Sequence, residues 1–367
     1  MTPLTDEFAN STLALKLAEH IRTIARPDQP VRLMEFCGSH TTAILRYGIR
    51  QLLPPGIDLL SGPGCPVCVT DQVDIDRAIY LARVPGVIMA TFGDMLKVPG
   101  SHGSLAEAHA EGADVRVVYS TMDALHLANE NPSHRVIFLG VGFETTAPTI
   151  AASVAQAAAQ NINNYAVLSL AKICPPVIKA LLDGGEVKLH GLICPGHVSA
   201  IIGTSPYKFI PRNYGIACVV AGFEPVDILQ SIAMLLSQLY ESRPSVEVAY
   251  TRGTAPAGNP YAISLIEKIF EPTAVSWRGM GQVSGSGLKL RAEYAAYDAE
   301  KLYDIPPLPK HEVSGCICGE ILRGVKTPAD CPLFRRVCTP MHPIGPCMVS
   351  GEGACAAHYN YGDDCGR

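Results

Sequence analysis

Two cysteines stand three positions apart in the Gly/Pro-rich stretch "SGPGCPVCVT" (61–70). Such a turn can be a redox dithiol, a disulfide or half of a zinc site. A second close Cys-x-x-Cys pair is missing, which weakens zinc, and a permanent disulfide does not suit a reducing compartment. A cycling dithiol is therefore the leading expectation for Cys65 and Cys68, with Pro66 stiffening the turn. Cys37, in "EFCGSH", precedes an expected helix start at Ser39. Backbone N–H groups and the helix dipole there favour a thiolate. His40 is close enough in sequence to donate a hydrogen bond or accept a proton. The plain alternative is a buried cysteine at a strand end.

The stretch from Cys316 to Cys365 holds seven of the chain's thirteen cysteines. Cys318, Cys331, Cys338 and Cys355 have the spacing C-x12-C-x6-C-x16-C. Four thiolates suit tetrahedral zinc or an iron–sulfur cluster. Zinc ribbons show paired short knuckles, which are absent here between Cys331 and Cys355, so the wide spacing leans toward iron–sulfur. Cys316, Cys347 and Cys365 are left over, and spacing alone does not say which four bind. His342 and His358 lie among these cysteines, though "PMHP" reads as an exposed loop around His342. With little periodicity of its own, the segment is expected to fold around a bound group.

Upstream, the elements that would position these groups are legible. From residue 31 to about 240, short β-branched runs alternate with Gly-rich turns and helical patterns. Eight strand-like runs begin at Val31, Ile57, Gly86, Val115, Arg135, Tyr165, Leu189 and Gly215. This alternation predicts parallel α/β sheets. The expected fold is α/β, with two doubly wound domains over 1–130 and 131–242, split near 128–135. A small Cys-rich α+β domain over 243–367 would carry the metal-binding segment. A single closed barrel is the competing topology. After residue 243, Val246–Thr251 and Gly285–Tyr294 read as strands and Gly258–Phe270 as a helix.

In open α/β sheets, ligands sit beyond the carboxyl ends of the strands. The turns there offer Cys37 with Ser39 and His40, Cys65 with Cys68, Asp94, Glu144 with Thr145, His197 and Glu224. A structural turn calls for Gly, Pro, Asn or Asp, not for repeated cysteine, histidine and glutamate. "GVGFETTAPT" (140–149) has the G-x-G of a phosphate loop, but lacks the third glycine and any Walker lysine. A tight turn capped by Thr145 or Thr146 explains it as well. Cys174, Cys194 and Cys218 lie in apolar contexts and read as small core residues. His197 either caps its own helix or points into the crevice.

The bulk numbers narrow the class. A length of 367 residues allows two or three domains, and 48% hydrophobic with 17% charged residues is a globular balance. A net charge of −5 without a long basic run argues against nucleic-acid binding. The amino-terminal stretch reads as an amphipathic helix rather than a signal peptide. With no uninterrupted run of about 18 apolar residues, no membrane span is expected. A cytoplasmic protein is the expectation, and thirteen cysteines there mean metal ligands and reactive thiols before disulfides.

The motifs "EFCGSHT", "GPGCPVC", "FGDMLKVPGS", "GFETTAPT", "PGHVSAIIG" and the cysteine block ending in "CMVSGEGAC" follow one another along the chain. In this order they resemble the HypD family of hydrogenase maturation proteins over nearly the whole length. The resemblance implies a scaffold that works with HypC. On it the Fe(CN)2CO group of NiFe hydrogenases is assembled for the hydrogenase large subunit, with cyanide arriving from HypE. It implies two α/β domains plus a domain with a 4Fe-4S cluster. By motif match, Cys37 would hold the iron together with a cysteine of HypC, and Cys65 and Cys68 would be the redox pair. Cys318, Cys331, Cys338 and Cys355 would bind the cluster. His40, Asp94 and Glu352 fall in motifs that the family associates with function. Low-spin Fe(II) tolerates such soft thiolate ligands. Two rivals are a stand-alone iron–sulfur or dithiol reductase of a small molecule, and a zinc-stabilised nucleotide-binding module.

Overall fold

The structure, a computed structural model, describes residues 10–309 and 315–362. Cys365 lies outside the described residues. All eight apolar runs form strands: β1 Val31–Glu35, β2 Ile57–Ser61, β3 Val87–Thr91, β4 Asp114–Val117, β5 Arg135–Gly142, β6 Tyr165–Ala171, β7 Gly191–Pro195 and β8 Ala217–Ala221. Every residue of β3, β7 and β8 is buried. That is the mark of parallel strands covered on both faces, and it explains their uninterrupted apolar character.

How the strands pair departs from expectation. A ninth strand, β9 Val246–Val248, joins a five-stranded sheet of order β2-β1-β7-β8-β9, and a second sheet has the order β4-β3-β5-β6. Both are entirely parallel and open. The second sheet is inserted between β2 and β7 of the first. The anticipated split near 128–135 falls inside the second sheet, so contiguous units over 1–130 and 131–242 do not follow the sheets. Residue 243 likewise falls just before a strand of the first sheet. β9 completes the first sheet, and an antiparallel hairpin, β10 Phe270–Trp277 with β11 Gly281–Leu290, packs beside β6. There Ser169 Oγ donates to the Leu288 carbonyl at 2.7 Å and the Ile173 amide to that of Ser286 at 2.8 Å. Strand β10 was not anticipated.

Strand periodicity divides the core into layers. Ile88 and Ala90 face an outer layer with the helices Thr121–Glu130 and Ala147–Gln160. Met89 faces a central layer shared by both sheets, with Ile137 and Leu168 from the second and Met34, Leu192 and Val220 from the first. The outer face of the first sheet is covered by the helices Ser11–Ile24 and Pro225–Tyr240. Strand order reverses between β1 and β7 and again between β3 and β5, which gives two switch points where such folds bind ligands. The turns bearing Cys37 and His197 flank the first, and those bearing Asp94 and Glu144 the second.

One buried ion pair fixes the turn after β8. Asp227, fully buried, takes two hydrogen bonds of 2.6 Å from Arg252 and one of 3.1 Å from the Glu224 amide. Asp227→Ala strands the guanidinium. Since a quarter of the Arg252 side chain remains exposed, the loss should lie near the lower end for broken buried pairs, about 3 kcal/mol. Chemical denaturation should show a correspondingly lower midpoint, and an unchanged one would show that the pair does not hold this turn.

Candidate functional site

The carboxyl ends of the two sheets open on one cleft of about 850 Å³. Its walls include Ser39 and Glu224 from the first sheet, Asp94 and Gly142 from the second, Pro66 between the paired cysteines, and Glu352 from the carboxyl-terminal segment. Asp94 and Glu352 are exposed there. Cys37, His40, Cys65 and Cys68 lie one layer behind this lining.

Cys37 begins the helix Gly38–Arg46. Its amide donates to Glu35 at 2.9 Å, and Glu35 also accepts from the Thr41 hydroxyl. Gly64 lies against it so closely that a Cβ there would stand 2.3 Å from the Cys37 nitrogen. On its other side, a Cβ at Gly38 would stand 2.5 Å from the Glu352 carbonyl oxygen. Ser39 Oγ donates to Glu352 at 2.6 Å and Thr42 Oγ1 to the Gly351 carbonyl at 2.9 Å. Burial, then the charges of Glu352 and Glu35, push the Cys37 thiol up to about 12, against the pull of the Ser39 and His40 amides. The helix start therefore does not yield the thiolate expected from its dipole alone.

His40 also departs from expectation. Its ring is buried, with Nε2 2.9 Å from the Gly222 carbonyl, and it stacks on Phe223 at 4.8 Å. Phe223 in turn stacks on His197 at 3.9 Å. Burial lowers His40 to about 4, so the ring is neutral at pH 7. His40 influences Cys37 through its backbone amide, while its ring binds the turn after β8. His197 joins the aromatic stack, and Pro195 occupies its helix cap.

From Cys65 a row of thiols leads inward. Cys65 caps the short helix Pro66–Val69, its Sγ accepting from the Cys68 amide at 3.3 Å. Cys68 is fully buried, which pushes its thiol well up, and it touches the thiols of Cys65 and Cys347. The Sγ atoms of Cys347 and Cys318 are 2.7 Å apart, and Cys316 adjoins Cys318. Cys316, Cys318, Cys331, Cys338, Cys347 and Cys355 line one small enclosed cavity. The four expected ligands thus come together, with two cysteines that spacing had left over. Sequence reasoning missed the Cys318–Cys347 pairing, because 28 intervening residues give no local signal.

The G-x-G closes strand β5, and the turn after it holds a buried acid in place of a phosphate. Glu144 Oε1 accepts from the Cys174 amide at 2.8 Å, and Oε2 has no hydrogen-bond partner among the described residues. Thr146 stands at the helix cap without a side-chain hydrogen bond. Cys174, Cys194 and Cys218 are buried, as expected. His342 is exposed, whereas burial lowers His358 to about 4.

Burial raises Glu144 from the ordinary 4.5 to about 7. A raised acid destabilises the fold above its folded value, and that penalty vanishes below its unfolded value. Glu144→Gln should therefore be more stable than the parent at pH 8, by up to roughly 3 kcal/mol. The advantage should shrink as pH falls from about 7 and disappear below 4.5. Denaturation curves across that range check it, and an equal difference at every pH would overturn it.

Parallel α/β sheets with a row of thiols leading from behind their cleft to a Cys-rich carboxyl-terminal segment define the class of protein. The chain belongs to the HypD family of hydrogenase maturation factors: the family model "HypD: Hydrogenase formation hypA family" matches residues 12–362. The chain is 47% identical to "Hydrogenase maturation factor HypD2" of Bradyrhizobium diazoefficiens, over 97% of this chain and 96% of that protein. It is 46% identical to "Hydrogenase maturation factor HypD" of Cupriavidus necator over the same shares, and 42% identical to that of Escherichia coli over 97% of each. No helix among the described residues is long and apolar enough to cross a membrane.

Proposed function

We propose that this protein is the scaffold on which the iron of a NiFe hydrogenase acquires its diatomic ligands, in the cytoplasm, before transfer to the hydrogenase large subunit. The observation that carries this reading is the contact between the Cys37 turn and the Cys-x-x-Cys turn. The Gly38 amide donates to the Gly64 carbonyl at 3.0 Å, behind the floor of the large cleft. Iron with cyanide and CO is the cargo, and Cys37 is its ligand from this chain. One thiolate is too few, so a cysteine of HypC completes the site from the open cleft, and HypE supplies cyanide there. Because burial and two carboxylates hold Cys37 protonated, iron binding releases a proton. Asp94 and Glu352, on the cleft walls, orient the incoming partners.

The cysteine cavity fits a 4Fe-4S cluster. Among the described residues no three His, Cys, Asp or Glu side chains converge on one point as a single metal ion requires. A cluster takes one thiolate at each of four irons, so its ligands ring a hole. The ring of cysteines lined by Ile321, Phe334 and Met348 has that form. The 2.7 Å contact between Cys318 and Cys347 favours Cys316, rather than the expected Cys318, as fourth ligand beside Cys331, Cys338 and Cys355. Such a cluster supplies single electrons.

Cys318 and Cys347 then form a second dithiol beside the first. Exchange between the pairs is self-balanced. The Cys347 thiolate attacks Sγ of Cys68 in a Cys65–Cys68 disulfide, and Cys65 leaves as thiolate. Cys318 then attacks Cys347 and releases Cys68, its thiol proton passing to the departing Cys68 sulfur. The disulfide has moved inward, and both cysteines of the outer pair are reduced beside Cys37.

Two outcomes test this reading. Cys37→Ser should leave the fold intact but abolish the cyanide and CO infrared bands of the protein purified with HypC. Normal bands in that variant would mean that the iron is held elsewhere. Anaerobic preparations should contain about four iron and four sulfide per chain. Cys316→Ala should lose them, while Cys318→Ala keeps them and loses only the disulfide to Cys347, as read by alkylation and mass spectrometry. The reverse pattern would restore Cys318 as the ligand.

A further inference from the structure

The hairpin β10–β11 ends in a tip that wedges between two thiol-bearing segments. On one side the Arg278 amide donates to the Val69 carbonyl at 2.9 Å, and Arg278 Nε to the Thr70 carbonyl at 3.0 Å, just beyond Cys68. On the other, Gly279 sits at φ +76° against Gly319, the residue after Cys318, where a Cβ would stand 2.3 Å from the Gly319 Cα. Arg323 clamps this contact, its Nη1 donating to the Gly279 carbonyl and its Nε to Glu186 at 2.5 Å.

The tip thereby places Arg278 between the turn that follows Cys68 and the residue that follows Cys318, and its charge is felt at Cys316 and Cys318. Its Nη2 is buried and has no hydrogen-bond partner among the described residues, and no carboxylate there pairs with it. A buried cationic N–H without an acceptor is costly, and an orphan of this kind calls for something that fills it. Knitting Val69 and Thr70 to the hairpin uses only the backbone amide and Nε. That structural role leaves Nη2 unexplained.

We propose that Arg278 is the counter-ion of the metal centre in the cysteine cavity: its free Nη2–H donates to a sulfur there, and its charge raises the centre's reduction potential. The inference rests on the cluster reading above. Four thiolates around a 4Fe-4S core leave a net negative charge that grows by one on reduction. A fixed cation alongside therefore favours the reduced form, and hydrogen bonds to the sulfurs act in the same direction. Arg278 is thus a positioning residue for charge, tied by its own backbone to the outer dithiol.

The test is an anaerobic potentiometric titration of the full chain, followed by visible absorption and electron paramagnetic resonance. Arg278→Met should retain iron and sulfide but lower the midpoint. At the parent's midpoint its reduced-to-oxidised ratio should fall about tenfold, which is about 59 mV for one electron. Arg278→Lys should recover most of that shift. If Arg278→Met loses its iron, Arg278→Gln, which can still donate to the Thr70 carbonyl, carries the test: a lowered midpoint supports the proposal and an unchanged one overturns it. A loaded Arg278→Met protein with the parent's midpoint overturns the proposal and leaves the cluster reading standing. A parent protein with neither iron nor sulfide sinks the cluster reading itself, and this inference with it.

Discussion

The site depends on three backbones meeting where no side chain fits. At Gly64 and Gly38 a Cβ would fall within about 2.5 Å of the main chain opposite. Real Cβ atoms do not approach so closely, so either substitution forces the segments apart. Their contact sets the turn after β1, the turn after β2 and the Ser350–Glu352 turn side by side. Cys37, Cys65 and Cys68 are thereby fixed relative to Cys347 by the backbone rather than by long, mobile side chains. Such stiffness suits thiol chemistry, where exchange needs sulfur to approach sulfur along a defined line.

Electrostatics then holds the thiols of Cys37 and Cys68 neutral. Burial pushes the Cys37 and Cys68 thiols up, and at Cys37 two carboxylates add to the effect. A neutral thiol is a poor nucleophile, a poor ligand and a poor target for oxidation. In the proposed role, a positive centre arriving at the thiol exchanges for its proton, so proton release and cargo binding would be one event. At the far end of the row, the Arg278 charge acts in the opposite sense on Cys316 and Cys318.

Much of this was legible in the sequence, and what escaped did so for definite reasons. Strands β3, β7 and β8 declared themselves because strands covered on both faces are continuous apolar runs, and the alternation with helical patterns marked the others. Their pairing did not, because nothing in Val31–Glu35 says that its second neighbour lies beyond residue 190. Strand β10 was hidden by half-exposed residues and by Pro272, which reads as a breaker. The cysteines of the cavity were visible as a group, but the contact between Cys318 and Cys347 was not, since it joins residues far apart in the chain. At Cys37 the local signal was read correctly and still misled. The helix start does favour a thiolate, yet burial and a carboxylate from residue 352 outweigh it. Arg278, alone in "SWRGMG", carries no pattern at all.

The two parallel sheets leave one side of the site open while the thiol row lies behind it. In the proposed role, cargo and partner proteins need an opening. The carboxyl ends of two sheets facing each other provide one, rimmed by Tyr47, Tyr119 and Tyr361, with Tyr119 92% exposed. Such aromatic side chains present a large contact area at small entropic cost, which suits transient docking. Disulfides need no opening, because exchange passes between sulfurs already in contact. The row from Cys65 to Cys316 lies behind the cleft lining, with Cys65, Cys68, Cys347 and Cys318 buried and Cys316 part-buried. The two requirements meet at Cys37, half-buried between the cleft and the thiol row.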